Sequence, residues 1–129
     1  MSDEPRMPHE AQVWPVELRL SRDRRNLTVS FDDGRTFVLG AEYLRVESPS
    51  AEVQGHAPSE RRTVAGKIDV AIAEVQPIGN YAVRLVFDDG HATGIYAWGF
   101  LAELGEQHGE RWQRYLAELA AKGLSRERK

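Results

Sequence analysis

An α+β fold is predicted, with an antiparallel sheet built from two duplicated hairpin-plus-helix units and a C-terminal amphipathic helix packed on it. Three observations carry that prediction. The tetrapeptide Phe-Asp-Asp-Gly occurs at 31–34 and again at 87–90, each time between an alternating apolar run and a helix-like run. Strand, loop, strand, turn, strand and helix follow in the same order in both halves, and with a one-residue gap Tyr43-Leu44 falls on Phe100-Leu101. No long helical crossover separates consecutive strands, which argues against a parallel sheet.

In the first unit Val16, Leu18 and Leu20 alternate with Glu17 and Arg19, giving a strand with one apolar face. The polar run SRDRRN turns the chain. Leu27, Val29 and Phe31 then alternate with Thr28 and Ser30, and after DDGR the β-rich TFVLG completes a hairpin. Glycine at 34 tolerates a positive φ, and Asp33 accepts local backbone hydrogen bonds, so the turn belongs there. AEYLRV is a short helical run.

In the second unit Ile68, Val70 and Ile72 read as a strand with Lys67, Asp69 and Ala71 outward, while Val75 is out of phase and indicates a bulge. QPIGN reads as a turn. Tyr81, Val83, Leu85 and Phe87 alternate with Ala82 and Arg84, DDGH turns the chain again, and ATGIY leads into the helical AWGFLAEL. Trp112, Tyr115, Leu116, Leu119 and Ala120 then make one helical stripe, expected to pack on a sheet, and Gly123 stops that helix.

The chain has 129 residues, enough for one domain, assigned to 13–122. Residues 1–12, with two prolines and no apolar period, are expected to be a disordered leader, and 123–129 a basic tail. The composition is 41% hydrophobic and 29% charged, without an apolar run of membrane length or a secretory signal, so a cytoplasmic setting is expected. Absence of cysteine removes disulfides, thiolate catalysis and sulfur-ligated metals together. A net charge of −3 provides no long-range attraction for nucleic acid; RDRR, Arg61-Arg62 and RERK read as solvated spots.

Four carboxylates, Asp32, Asp33, Asp88 and Asp89, invite an acid/base reading, but neighbours on an exposed hairpin turn keep ordinary pKa values and turn chemistry accounts for them. His91 beside Asp88 and Asp89, together with His56 in the long loop, offers a metal-binding alternative. No second histidine shares an element with either, and a bound zinc wants three or four ligands. A serine nucleophile in G-x-S-x-G context and a phosphate loop are both missing. Trp98, Phe100, Trp112 and Tyr115 have helical spacing and read as core aromatics before a base-stacking platform. An enzyme using the 48–66 loop as a lid is a further reading.

LRVESPSAEVQGH, followed by PIGNYAVRLVFDDGHATGIYAWGFLAEL, resembles the γ-butyrobetaine hydroxylase-like N-terminal domain family over about residues 14 to 108. In the hydroxylases that module holds a structural zinc with three cysteines and one histidine. Laid on this chain, the pattern puts Ser48, Ser50 and Val53 at the cysteine positions and His91 at the histidine position. With every sulfur gone, the resemblance does not bring zinc with it, and no cofactor is expected; a metal held by His91, His56 and acidic neighbours is the alternative. Oxygenase activity is not implied either, because its iron and 2-oxoglutarate ligands lie in a catalytic domain outside the resemblance. What it implies is a non-catalytic accessory module for protein interaction, linked to iron–sulfur or other metal-cofactor assembly, with a P-loop iron–sulfur scaffold ATPase as a partner. The polar loop from Ser48 to Lys67 is expected to be unpinned and available to a partner through His56, Arg61 and Arg62.

Overall fold

The computed structural model describes residues 13–55 and 58–128, so the expected leader at 1–12 and His56 lie outside the described residues. Strands β1 (Pro15–Leu20), β2 (Asn26–Phe31) and β3 (Thr36–Gly40) run into helix α1 (Ala41–Val46). A short helix α2 (Ala51–Gln54) and a 3-10 turn (Pro58–Glu60) occupy the connection. Strands β4 (Ile72–Ile78), β5 (Ala82–Phe87) and β6 (Ile95–Ala97) run into helix α3 (Trp98–Glu106), followed by α4 (His108–Ala121). Each unit is thus a three-stranded antiparallel sheet whose last strand passes directly into a helix, in the orders β1-β2-β3 and β4-β5-β6.

The two Phe-Asp-Asp-Gly turns are built alike, bond for bond. In the first, the Gly34 N–H donates to the Phe31 carbonyl at 3.0 Å and the Phe31 N–H to the Arg35 carbonyl at 2.8 Å. In the second, Gly90 donates to Phe87 at 3.1 Å and Phe87 to His91 at 2.9 Å. The second aspartate of each pair closes its own turn, Asp33 accepting from the Arg35 N–H and Asp89 from the His91 N–H. The first aspartate ties down an earlier segment: Asp32 donates its N–H to the Trp14 carbonyl, and Asp88 donates to that of Ala71. These four carboxylates are turn parts with separate duties. Gly34 and Gly90 sit at φ of 94° and 93° with open space where a Cβ would point, so only backbone strain opposes a side chain there. Gly34→Val is therefore expected to cost about 1–3 kcal/mol in denaturant unfolding.

One apolar core joins the units. Leu27, Val29 and Leu39 from the first sheet, Ile72, Leu85, Phe87 and Tyr96 from the second, Leu44 from α1 and Leu101 and Leu104 from α3 belong to the same buried cluster. Each fully buried leucine contributes about 1.5–3 kcal/mol. Tyrosines lock the halves reciprocally: the Tyr43 hydroxyl donates to the Leu104 carbonyl at 2.7 Å, and the Tyr96 hydroxyl donates to the Leu44 carbonyl. A Cβ at Gly105 would overlap the Phe37 ring, so α3 can lie this close to β3 only with glycine there.

Three expectations change. The strand expected at Ile68 to Ile72 begins only at Ile72; Val70 donates its N–H to Lys67 in a turn, so the alternation there marks one-sided burial without pairing. The turn expected at Gln76 to Asn80 is shorter, because β4 continues to Ile78 and keeps Pro77; β4 is an edge strand, where a missing N–H is tolerated. The α4 stripe reaches the sheets through intermediaries: Tyr115 and Leu119 bury against Val46 of α1 with Val64 and Ala65, Trp112 also touches the main core, and Ala120 is exposed. The expected bulge is present, as a register shift between Ile72 and Glu74. The expected stop also holds, with Gly123 and Leu124 donating to the Ala120 and Leu119 carbonyls.

Candidate functional site around His91

The second hairpin turn presses His91 inward. Its side chain is 3% exposed, and the ring meets the chain that leaves α1. Nε2 lies 2.9 Å from Ser48 Oγ and 3.4 Å from Ser50 Oγ, while Nδ1 lies 3.1 Å from Glu52 Oε1 on α2. Ser48 and Ser50 are buried as well. Val53 is buried at 2% and offers no donor. Three of the four positions matched to a zinc site, Ser48, Ser50 and His91, therefore converge.

Electrostatics set the protonation. Burial lowers the His91 pKa, and the nearby Arg45 guanidinium lowers it further, while Glu52 and Asp89 oppose the shift incompletely. A neutral imidazole facing a carboxylate at Nδ1 carries its proton there, so Nε2 accepts from the Ser48 hydroxyl. Under the ring, Arg45 Nε donates to Asp89 Oδ2 at 2.8 Å and Lys67 Nζ approaches the same oxygen at 2.7 Å. Burial alone would raise Asp89; Lys67, the His91 N–H and Arg45 overcome it and bring the pKa down to about 2. The expectation of four exposed, ordinary carboxylates is thus corrected for Asp89, whose side chain is 17% exposed, and in its pKa for the exposed Asp33, which the Arg35 N–H lowers. The shift runs opposite to what a general acid at neutral pH requires.

Serine hydroxyl, imidazole and carboxylate fall in the order of a nucleophilic triad. Access is what the arrangement lacks. Ser48 is 0% exposed, and a Cβ added to Gly94 would stand 2.5 Å from its Oγ, so the backbone just ahead of β6 lies against the hydroxyl. A cleft lined by Lys67, Asp69, Asp88, Asp89 and Arg128, beside the His91 turn, includes neither Ser48 nor His91 in its wall. As a zinc site the residues do not fit: two hydroxyls and a valine stand where thiolates would be needed. Among the described residues no group of three or more His, Asp or Glu side chains is placed to hold a metal ion.

A second buried polar cluster adjoins the first and was not anticipated from sequence. Glu47, 1% exposed, accepts from Arg111 at 2.7 Å, Arg61 at 3.1 Å and Arg114 at 3.3 Å. Arg61 also meets Glu118 at 2.7 Å, and Arg111 meets Glu103 at 2.8 Å. The Ser48–Lys67 loop, expected to be unpinned, is therefore held to α4 by Arg61, which is 15% exposed. Arg62 faces solvent, and its N–H donates to the Val53 carbonyl. Of the aromatics expected in the core, Tyr115 is buried in the smaller cluster with Val46 and Leu119, and Trp98, Phe100 and Trp112 pack half-buried against the main core.

Protonating His91 is expected to destabilise the fold. The folded value lies below the unfolded 6.5, so the unfolded chain binds more protons in that interval. The contribution is complete above about pH 6.5 and is lost progressively as the pH falls below it. Thermal midpoints should decline from about pH 7.5 to 5, with less slope in His91→Asn. Equal slopes in the two proteins would contradict a buried neutral ring.

The two sheet-and-helix repeats around a sealed polar interior define a small α+β domain. The chain belongs to the γ-butyrobetaine hydroxylase-like, N-terminal family, whose model matches residues 18–102. It is similar to a solution NMR structure at 45% identity and TM-score 0.80, covering 96% of this chain and 92% of that one. A second solution NMR structure is 42% identical, with TM-score 0.78 and coverage of 91% and 92%. A crystal structure of a protein with unknown function in the DUF971 family, from Acidithiobacillus ferrooxidans, is 39% identical, with TM-score 0.60, covering 78% of this chain and 98% of that one. Comparison with curated proteins found no match. No helix among the described residues is long and apolar enough to cross a membrane.

Proposed function

We propose that the chain is a non-catalytic protein-interaction module, linked through its family resemblance to iron–sulfur or other metal-cofactor assembly. One contrast supports this most strongly. The groups suited to chemistry are turned inward, with Ser48 at 0% exposure, whereas the first sheet leaves Val16 67% and Val38 60% exposed, and Trp14, just ahead of β1, is 49% exposed. Apolar side chains left open on a sheet favour a macromolecular partner over a small substrate. A P-loop iron–sulfur scaffold ATPase is the first partner to test.

The experiment compares capture of that ATPase by the parent protein and by a Val16→Asp/Val38→Asp variant with an unchanged thermal midpoint. Retained capture by the parent and loss by the variant supports the reading. Equal capture by both, or capture by neither, counts against this partner on this sheet.

A further inference from the structure

Ser125 and Arg126, beyond α4, pack back onto the segment ahead of β4. The Gly66 N–H donates to the Ser125 carbonyl at 2.9 Å and the Ile68 N–H to the Arg126 carbonyl at 3.0 Å, so the segment is held against 66–68. Arg126 turns inward. Its Nε and Nη2 reach the two oxygens of Glu42 at 2.9 and 2.7 Å, and its guanidinium carbon lies 5.1 Å from the centre of the Trp112 ring.

This is the chemistry by which peptide grooves recognise ligands: backbone pairing supplies adhesion and one side-chain pocket supplies selectivity. The pocket is demanding. Glu42 on α1 is 11% exposed, so withdrawal of its arginine leaves a largely desolvated carboxylate without its ion pair. A planar fork satisfies both oxygens while stacking on the indole, which an ammonium cannot do. The occupant is open to solvent along part of its length: Leu124 is 42% exposed, and among the described residues the segment meets 66–68 through two backbone bonds and Glu42 through one side chain.

We propose that Glu42 and Trp112 form a guanidinium-recognition pocket, that Arg126 occupies it in cis, and that an arginine-bearing segment of another protein competes for it. The site is separate from the exposed face of the first sheet, and its test is independent of that partner.

The test uses the full-length Arg126→Ala protein and an amide-capped peptide of sequence LSRE, residues 124 to 127, followed through the Trp112 indole resonance. Saturable binding is expected to the variant and about tenfold weaker binding to the parent, whose own arginine competes. Adding Glu42→Gln, or replacing the peptide arginine with lysine, is expected to abolish saturation. Absence of saturation in Arg126→Ala, equal affinity for the parent, or indifference to Glu42 would overturn the proposal. Should Arg126→Ala fail to fold, native-state hydrogen exchange of the parent decides. Gly66 and Ile68 amides that exchange by local opening support a displaceable segment; exchange only through global unfolding overturns it.

Discussion

Glu47→Ala is expected to be among the most destabilising single changes in the chain, costing about 3 kcal/mol and lowering the thermal midpoint by about 10–20 °C. Glu47 is 1% exposed and accepts from three arginines on two separate segments. Removing it leaves Arg61 and Arg111, at 15% and 16% exposure, with Glu118, Glu103 and Gln107 as their remaining hydrogen-bond partners among the described residues. Arg114, half exposed, can return to water, which holds the cost toward the lower end for breaking a buried pair. The loop should loosen in part, because Arg61 helps to fasten it to α4, alongside Tyr115, whose hydroxyl donates to the Val64 carbonyl, and Lys122, which meets Thr63. Denaturant unfolding measures the first effect and hydrogen exchange at residues 60–65 the second. A loss below about 1 kcal/mol would mean the network is solvated and of surface strength.

Gly94→Ala ranks next and tests the lid of backbone over Ser48. The added methyl would stand 2.5 Å from Ser48 Oγ, 3.1 Å from Tyr96 Cε1 and 3.4 Å from Pro49 Cδ. Overpacking of this kind costs about 1–3 kcal/mol, and here it also displaces the hydroxyl from His91 Nε2. A double-mutant cycle distinguishes contact from backbone strain. Ser48→Ala removes the nearest obstructing atom, so Gly94→Ala should be less harmful in that background, a coupling of about 0.5–2 kcal/mol. Simple additivity would show that Ser48 and Gly94 do not press on one another.

Legibility in the sequence followed the range of the interactions. The Phe-Asp-Asp-Gly turns could be read because Asp33, Asp89, Gly34 and Gly90 act within a few residues of themselves. The start of β4 was misjudged because Ile68 and Val70 alternate as a strand would while Val70 bonds back to Lys67. Glu47 could not be found this way: its partners lie at Arg61, Arg111 and Arg114, and nothing in VESPS marks a carboxylate as buried. Asp89 was misread for a related reason, since its burial is set by Arg45 and Lys67 across the fold, whereas the matching Asp33 pairs locally with Arg35 and remains solvated. The meeting of Ser48, Ser50 and His91 followed from resemblance, because no spacing rule joins residues 43 apart in sequence.

The state of the His91 ring separates a sealed structural centre from a working one. Long-range proton–nitrogen NMR reads tautomer, charge and metal ligation in one spectrum. The expected result at neutral pH is a neutral ring protonated at Nδ1, titrating below 6.5, with both nitrogen shifts unmoved by added zinc. A ring protonated at Nε2, a charged imidazolium at neutral pH, or a zinc-dependent shift of Nε2 would contradict it.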